Sequence, residues 1–117
     1  MIKFYQPDTG YAPVRDFLDS LSGKEAKKVL WVLQLIQEME VVPTCYFVKL
    51  VGTNDVWECR ISFGSNIYRI LAFWHSGELV LTHGFAKKTQ KTPSQEIQRV
   101  EAIKKDYIAR YGGVHEK

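Results

Sequence analysis

The sequence predicts an α+β fold with the element order β-α-α-β-β-β-α, in which a mainly antiparallel sheet packs on two N-terminal helices. Between Trp57 and Pro93, three short β-segments are separated by two Gly-containing turns, which is typical of an antiparallel meander. Apolar residues at helical spacing precede and follow this meander. The chain has 117 residues, 45% of them apolar and 25% charged, which favours a single domain over residues 1–117 with one core.

A short strand at residues 2–5 and two helices are predicted for the N-terminal part. Pro13 suits the first position of a short helix, and Ser22 followed by Glu25 has the spacing of a capping box that begins a longer one. The longer helix is apolar around much of its circumference, so we expect it to be buried on more than one side. Its apolar residues are Ala26, Val29, Leu30, Trp31, Val32, Leu33, Leu35 and Ile36.

A connection is predicted for residues 44–55, between the longer helix and the meander. It contains Lys49, for which two interpretations stay open. The ammonium group could reach the polar face of the sheet and bind an anion there, or it could be a solvated loop lysine.

The meander itself is predicted to have one buried and one polar face at its first strand. Apolar residues alternate there with Glu58, Arg60 and Ser62. The second segment, residues 67–74, is apolar on both faces except for Arg69, as expected for a central strand.

Arg60 and Arg69 are predicted to lie opposite each other on neighbouring strands, because a two-residue loop at Gly64-Ser65 pairs them. Like charges at such positions repel each other. An anion between them would remove the repulsion, and the planar guanidinium fork suits a phosphate. The alternative is that the arginines pair with Glu58, Glu78 or a helix carboxylate.

Positive charge is concentrated after the third meander strand. The net charge of the chain is +3, and residues 83–117 contain 8 basic and 4 acidic residues. Lys87, Lys88 and Lys91 precede a final helix, predicted for residues 94–110 and ended by Gly112-Gly113. This asymmetry indicates an anionic partner near that end of the sheet.

Several classes of protein and site do not fit this sequence. Cys45 and Cys59 form no CxxC pair, so buried free thiols are expected. No signal peptide or apolar run of membrane-spanning length is present, so we expect a cytoplasmic protein without a membrane partner. Because no spacing of His, Asp or Glu suggests zinc or magnesium, no metal or other cofactor is expected.

Three sequence segments carry a resemblance to a known family: the runs WECRISFGSNIYRILAF and LTHGFAKKTQKTP and the basic helix after them. Together they resemble the RelE/ParE toxin superfamily, in particular its HigB-like branch of phage-derived Gp49-like proteins. The resemblance implies a RelE-like fold and a toxin of a type II toxin–antitoxin system. Such a toxin is usually a ribosome-dependent mRNA endonuclease that inhibits translation. Its expected partners are the ribosome, mRNA and a HigA-like helix-turn-helix antitoxin, with operator DNA contacted only through the antitoxin.

The candidate residues suit RNA cleavage, in which an adjacent 2′-hydroxyl attacks the phosphate and no metal is needed. Such an enzyme has to position the phosphate, stabilise its charge and transfer protons. The candidate catalytic residues are Arg60, Arg69, His83 and Lys88, and the candidate RNA-binding residues are Lys49, Lys87 and Lys91. His83 titrates in the useful range.

The sequence leaves alternatives open for the roles of the candidate residues and for the function of the protein. His83 could be a hydrogen-bonded core histidine, since it is in register with Leu79 and Leu81, and the lysines could form an ordinary exposed face. Many nucleases of the superfamily have a tyrosine near the position of Phe85, so the acid–base pair is open. A ParE-like inhibitor of DNA gyrase and a non-catalytic basic RNA-binding module are the competing functions.

Overall fold

The computed structural model describes residues 1–87 and 91–112 and contains three helices and one five-stranded sheet. The strand order in the sheet is β1-β5-β4-β3-β2, and every pairing is antiparallel except that of β1 with β5. The predicted α+β class and mainly antiparallel sheet are therefore confirmed. The elements are β1 (Ile2–Phe4), α1 (Pro13–Asp19), α2 (Gly23–Glu38), β2 (Phe47–Lys49), β3 (Trp57–Phe63), β4 (Asn66–His75), β5 (Glu78–Ala86) and α3 (Ser94–Tyr111).

The predicted element order is wrong in one respect, because residues 44–55 are not only a connection. They contain β2, which pairs antiparallel with β3 at the edge of the sheet, with Phe47 opposite Cys59. A strand of three residues is too short to show a clear alternation in sequence. Burial of Phe47 against the core stabilises it there, and the observed order is β-α-α-β-β-β-β-α.

The predicted register of the meander is confirmed. Phe63 pairs with Asn66, so the loop between β3 and β4 has two residues, and Arg60 lies opposite Arg69. Gly64 has φ 62°, a conformation that a residue without a Cβ adopts at little cost. β4 is the middle strand of the sheet, as its apolar sequence predicts.

Helices cover both faces of the sheet and form two clusters of buried side chains. The first cluster joins α1 and α2 to one face, which includes Cys59 and Ile61 of β3. The second joins α3 to the other face through Val100 and Tyr107. Glu58, Arg60 and Ser62 alternate with residues of the first cluster, so their side of β3 faces the same way as α3.

The starts of α1 and α2 follow the sequence prediction. Pro13 is the first residue of α1, and the capping box of α2 is formed: Glu25 N donates to Ser22 Oγ at 3.2 Å and Ser22 N donates to Glu25 Oε1 at 3.0 Å. The expectation that α2 is buried on more than one side is wrong, because Leu30 and Trp31 are 50% and 49% exposed. The sheet covers only the side of α2 with Val29, Val32, Leu33 and Ile36.

A β-bulge between β4 and β5 changes the face on which the end of β5 lies. Ala72 pairs with Leu81, whereas Leu71 pairs with His83, so Thr82 is the extra residue of β5. The Thr82 hydroxyl donates to Leu71 O at 2.9 Å. As a result His83 lies on the α3 side of the sheet with Leu71, not on the side of Leu79 and Leu81 as strict alternation predicts.

Both cysteines are free thiols, as expected. Cys59 is buried, but Cys45 is exposed, so the expectation of two buried thiols is wrong for Cys45. Among the helices that the structure describes, none is long and apolar enough to cross a membrane.

Candidate functional site

Arg60 and Arg69 share one carboxylate on the α3 side of the meander. Glu58 is fully buried, and its Oε1 lies 3.1 Å from Arg60 Nε and 3.4 Å from Arg69 Nε. Arg60 also donates to Thr44 O at 3.3 Å. The internal ion pair that the sequence left open as an alternative is therefore present, and it lets two arginines lie side by side despite their repulsion.

Lys87 brings a third positive charge to this place. It follows β5, is 8% exposed, and its backbone N–H donates to Ile67 O at 2.8 Å. Burial lowers the pKa of the Lys87 ammonium group. The negative charge of Glu58 raises that pKa, and the positive charges of Arg69 and Arg60 lower it further. We call Arg60, Arg69 and Lys87 around Glu58 the cationic cluster. Its four charged groups sum to +2, which favours an anion.

Arg69 has a hydrogen-bond donor for which the described part of the chain provides no acceptor. Its Nε is close enough to Glu58 for an ion pair but is not aligned for a hydrogen bond, and it has no acceptor within the described residues. Burial lowers the pKa of the Arg69 guanidinium group. The negative charge of Glu58 raises that pKa, and the positive charge of Arg60 lowers it further. A buried donor without an acceptor costs about 1–3 kcal/mol. An anion that accepted from it would recover part of this cost.

His83 has the surroundings of a hydrogen-bonded core residue. It is 1% exposed, with Nε2 2.9 Å from Glu96 Oε1 and Nδ1 3.0 Å from Thr82 Oγ1. Burial lowers the pKa of His83, the charge of Arg99 lowers it further, and the hydrogen bond to Glu96 opposes both. The bulge places it on the same face as Arg69, but neither ring nitrogen is free for a substrate.

Other predicted residues are spread over the molecule. Lys49 lies on β2 opposite Trp57, hence on the α2 side of the sheet, away from the cationic cluster, and its Nζ is 3.6 Å from Asp55 Oδ1. Lys91 is exposed in the segment before α3. Lys88, a predicted catalytic residue, lies outside the described residues.

Two aromatic residues of the meander, Tyr68 and Phe85, lie on opposite faces of the sheet. Tyr68 is buried on the side of α1 and α2, where its hydroxyl donates to Glu25 Oε2 at 2.5 Å. Phe85 is partly buried and lies on the face of the cationic cluster, opposite Arg69, with its ring centroid 6.0 Å from that of His83. Phe85 is thus the aromatic residue closest to the cluster in the strand register.

The sequence named Glu58 only as one of several possible partners of the arginines, and it did not indicate Thr92 at all. Glu58 is the carboxylate on which the arginines converge, and the Thr92 hydroxyl donates to its other oxygen, Oε2, at 2.5 Å. The alternation of Glu58 with Arg60 on one face of the strand favours Glu58 over the other carboxylates that the sequence left open. Thr92 is 34 residues from Glu58 in sequence, and no local pattern predicts that contact.

The donor set of the cluster is cationic and does not suit a metal ion. Divalent metals in proteins are held by carboxylates, imidazoles or thiolates. Across residues 1–87 and 91–112, no group of three or more such side chains could hold a metal.

Most of the chain matches the model of one protein family. Residues 16–105 match the family described as phage-derived protein Gp49-like (DUF891), which is a RelE/HigB-like toxin family. The chain belongs to the Gp49-like family. The match spans α2, the whole meander and most of α3, and so contains the cationic cluster of this Gp49-like chain. No curated protein matches the chain significantly. Membership makes the chain toxin-like and implies an antitoxin partner in general.

Proposed function

We propose that this Gp49-like protein is the toxin of a type II toxin–antitoxin system and cleaves mRNA on the ribosome, thereby inhibiting translation. The observation that supports the proposal is the cationic cluster, in which Arg60 and Arg69 pair with one buried carboxylate and Lys87 adds a third positive charge. Arg60 and Arg69 are held side by side, and Arg69 retains a donor without an acceptor within the described residues.

The first step is binding of the scissile phosphate. Arg60, with a side chain that is 34% exposed, meets the phosphate first, and Arg69, at 12%, lies deeper. Guanidinium groups bind phosphate oxygens through paired hydrogen bonds. As the reaction proceeds, negative charge grows on the non-bridging oxygens, and cations already in place stabilise it without having to reorganise.

The second step is cleavage by the RNA's own 2′-hydroxyl. The 2′-oxygen attacks the adjacent phosphorus, forming the O2′–P bond while the P–O5′ bond breaks. The products are a 2′,3′-cyclic phosphate and a free 5′-hydroxyl. One proton leaves the 2′-hydroxyl and one is given to the 5′-oxygen, and cationic side chains provide the charge stabilisation, so the proposed reaction requires no metal ion.

Lys87 is the described residue that best fits the proton transfer to the 5′-oxygen. Its charge interacts with those of both arginines, and burial lowers its pKa, which makes the ammonium group a stronger acid. Lys88, the next residue, is the candidate base: its neutral amine would accept the proton that leaves the 2′-hydroxyl. We assign His83 a positioning role, in which its hydrogen bond to Glu96 holds the start of α3 against β5.

The deciding experiment is primer extension on mRNA after single-turnover reaction with programmed ribosomes. We expect cleavage by the wild-type protein and by Lys105→Ala, an exposed change on α3, and none by Arg69→Ala. A wild-type protein that leaves the mRNA intact but inhibits supercoiling by DNA gyrase would refute the proposal. So would an Arg69→Ala variant that is fully toxic at equal expression and equal melting temperature.

A further inference from the structure

Three side chains approach the two oxygens of the Glu58 carboxylate, and only two of them form hydrogen bonds. Arg60 Nε donates to Oε1 at 3.1 Å, and the Thr92 hydroxyl donates to Oε2. Arg69 Nε is buried and lies 3.4 Å from Oε1, but it has no hydrogen bond within the described residues. A carboxylate can satisfy two arginines when each bonds to one oxygen. Here Thr92 takes the oxygen that Arg69 would need.

The position of Thr92 is set by groups outside the cationic cluster. Thr92 precedes Pro93, whose ring restricts the backbone of the residue before it and whose carbonyl accepts the N–H of Glu96 in the first turn of α3. Val100 fixes α3 in the second buried cluster, and Glu96 bonds to His83 on β5. The helix therefore presents the Thr92 hydroxyl to Glu58 from a fixed place, whichever way the arginines turn.

The strand register shows how the start of α3 is held above the sheet. Leu71 of β4 pairs with Glu58 on one side and with His83 on the other, so the three residues form one row across the sheet. The start of α3 is attached at both ends of this row, to Glu58 through Thr92 and to His83 through Glu96. Two attachments leave the segment little freedom to follow a rotation of the carboxylate.

We propose that Thr92 is a positioning residue, whose hydroxyl orients the Glu58 carboxylate so that the Nε–H of Arg69 stays available to the phosphate. The inference rests on the proposed function of the cationic cluster. Without the hydroxyl, Oε2 and the Arg69 Nε–H would both lack a partner among the described residues, in a buried place. The carboxylate would then turn Oε2 towards Arg69. The internal ion pair would become stronger, and the phosphate site would lose a donor.

This role differs from that of an ordinary stabilising hydrogen bond. Loss of a purely structural contact lowers stability and, through it, activity. The contact between Thr92 and Glu58 instead keeps a buried donor unsatisfied, an arrangement that costs stability and favours anion binding. Loss of the hydroxyl should therefore impair the phosphate site much more than the fold.

The first test needs no cleavage and observes the Arg69 Nε–H signal by proton–nitrogen NMR, assigned by its absence in Arg69→Met. It compares Thr92→Val, which removes only the hydroxyl, with Thr92→Ser, which keeps it, and with Thr9→Val in an exposed turn as the matched control. The signal should shift when inorganic phosphate is added to the wild type, to Thr92→Ser and to Thr9→Val. In Thr92→Val it should not respond, and it should exchange with water about tenfold more slowly.

Melting temperatures provide the second test, in two backgrounds. Thr92→Val should melt within about 3 °C of the wild type, because the new hydrogen bond of Arg69 offsets the lost one. In the Arg69→Met background the same change should lower the melting temperature by about 4–8 °C, because no donor takes up the released oxygen. A purely structural role would give equal losses in both backgrounds.

Single-turnover cleavage on programmed ribosomes is the third test. Thr92→Val should cleave about 10²-fold more slowly at saturating toxin, the usual effect of losing one donor to a developing oxyanion. Thr92→Ser and Thr9→Val should cleave at the wild-type rate.

Three results would overturn the inference. The first is an Arg69 Nε–H signal that is the same in Thr92→Val as in the wild type, or that does not respond to phosphate in the wild type. The second is an equal loss of melting temperature from Thr92→Val in both backgrounds. The third is cleavage by Thr92→Val at the wild-type rate. A wild-type toxin that shows the expected NMR difference but cleaves no RNA would refute the nuclease proposal and support the positioning role.

Discussion

Replacing Glu58 by glutamine tests whether one carboxylate holds the cationic cluster together. The change keeps the size of the side chain, and the amide oxygen can still accept from Thr92, but the negative charge is lost. Arg60 and Arg69 then face each other across β3 and β4 with nothing between them to compensate their repulsion. We therefore expect both a less stable fold and a less ordered phosphate site.

The size of the effect follows from the burial of the three groups. Removing one partner of a buried ion pair costs about 3–5 kcal/mol, because the remaining charge stays buried without compensation. Glu58 is fully buried and the Arg69 side chain is 12% exposed, but Arg60 at 34% can turn to water. Solvent screening of Arg60 reduces the cost, so Glu58→Gln should lower the free energy of unfolding by about 2–4 kcal/mol.

Urea unfolding at neutral pH measures this change, and Glu38→Gln, at an exposed carboxylate of α2, is the matched control. The control should stay within about 0.5 kcal/mol of wild type. In the double variant Glu58→Gln/Arg69→Met the buried charge is removed as well, so it should lose less stability than the sum of the two single variants. A loss below about 0.5 kcal/mol in Glu58→Gln, or strict additivity in the double variant, would refute the reasoning.

Four further predictions concern three residues at or just after the end of β5. Lys87→Met, which keeps the length of the side chain, should slow single-turnover cleavage by about 10²–10⁴-fold with little change in ribosome binding; a wild-type rate would remove Lys87 from the chemistry. His83→Gln should cleave within about tenfold of wild type, and a larger loss at unchanged melting temperature would restore the catalytic role that the sequence suggested. Burial lowers the pKa of His83 in the folded protein, so the imidazole of the unfolded chain binds a proton first as the pH falls. The free energy of unfolding should therefore decline below about pH 6.5 in the wild type, and it should decline less in His83→Gln. Urea unfolding at several pH values measures this difference. Gly84→Ala should lower the free energy of unfolding by about 1–3 kcal/mol, because a Cβ there would lie 2.5 Å from the Phe17 ring; an unchanged urea midpoint would show that the ring moves aside.

Much of the fold could be predicted because its signals are local. A two-residue loop determines which residues of two strands face each other, so the pairing of Arg60 with Arg69 followed from counting. The capping box of α2 depends on residues three positions apart, and it forms as predicted. The central place of β4 followed from its apolar residues on both faces.

What the sequence did not reveal depends on contacts between distant parts of the chain. β2 forms because Phe47 is buried in the core beside β3. A strand of three residues is too short for its alternation to be recognised in the sequence. The exposure of Leu30 and Trp31 reflects how little of α2 the sheet can cover. A single extra residue at Thr82 moved His83 to the other face of the sheet, which no alternation rule anticipates.

The candidate site also combines features that follow from neighbouring residues with features that depend on contacts between distant ones. The sequence by itself determined that two arginines lie side by side and that a basic segment follows the last strand, because strand period and loop length are properties of neighbouring residues. Only the tertiary structure decided that Glu58 lies between the arginines, that Thr92 contacts it from 34 residues away, and that His83 is held by Thr82 and Glu96 instead. The physical reason is that burial and electrostatic pairing depend on which elements pack together, and that packing is settled by the whole core and not by any single segment.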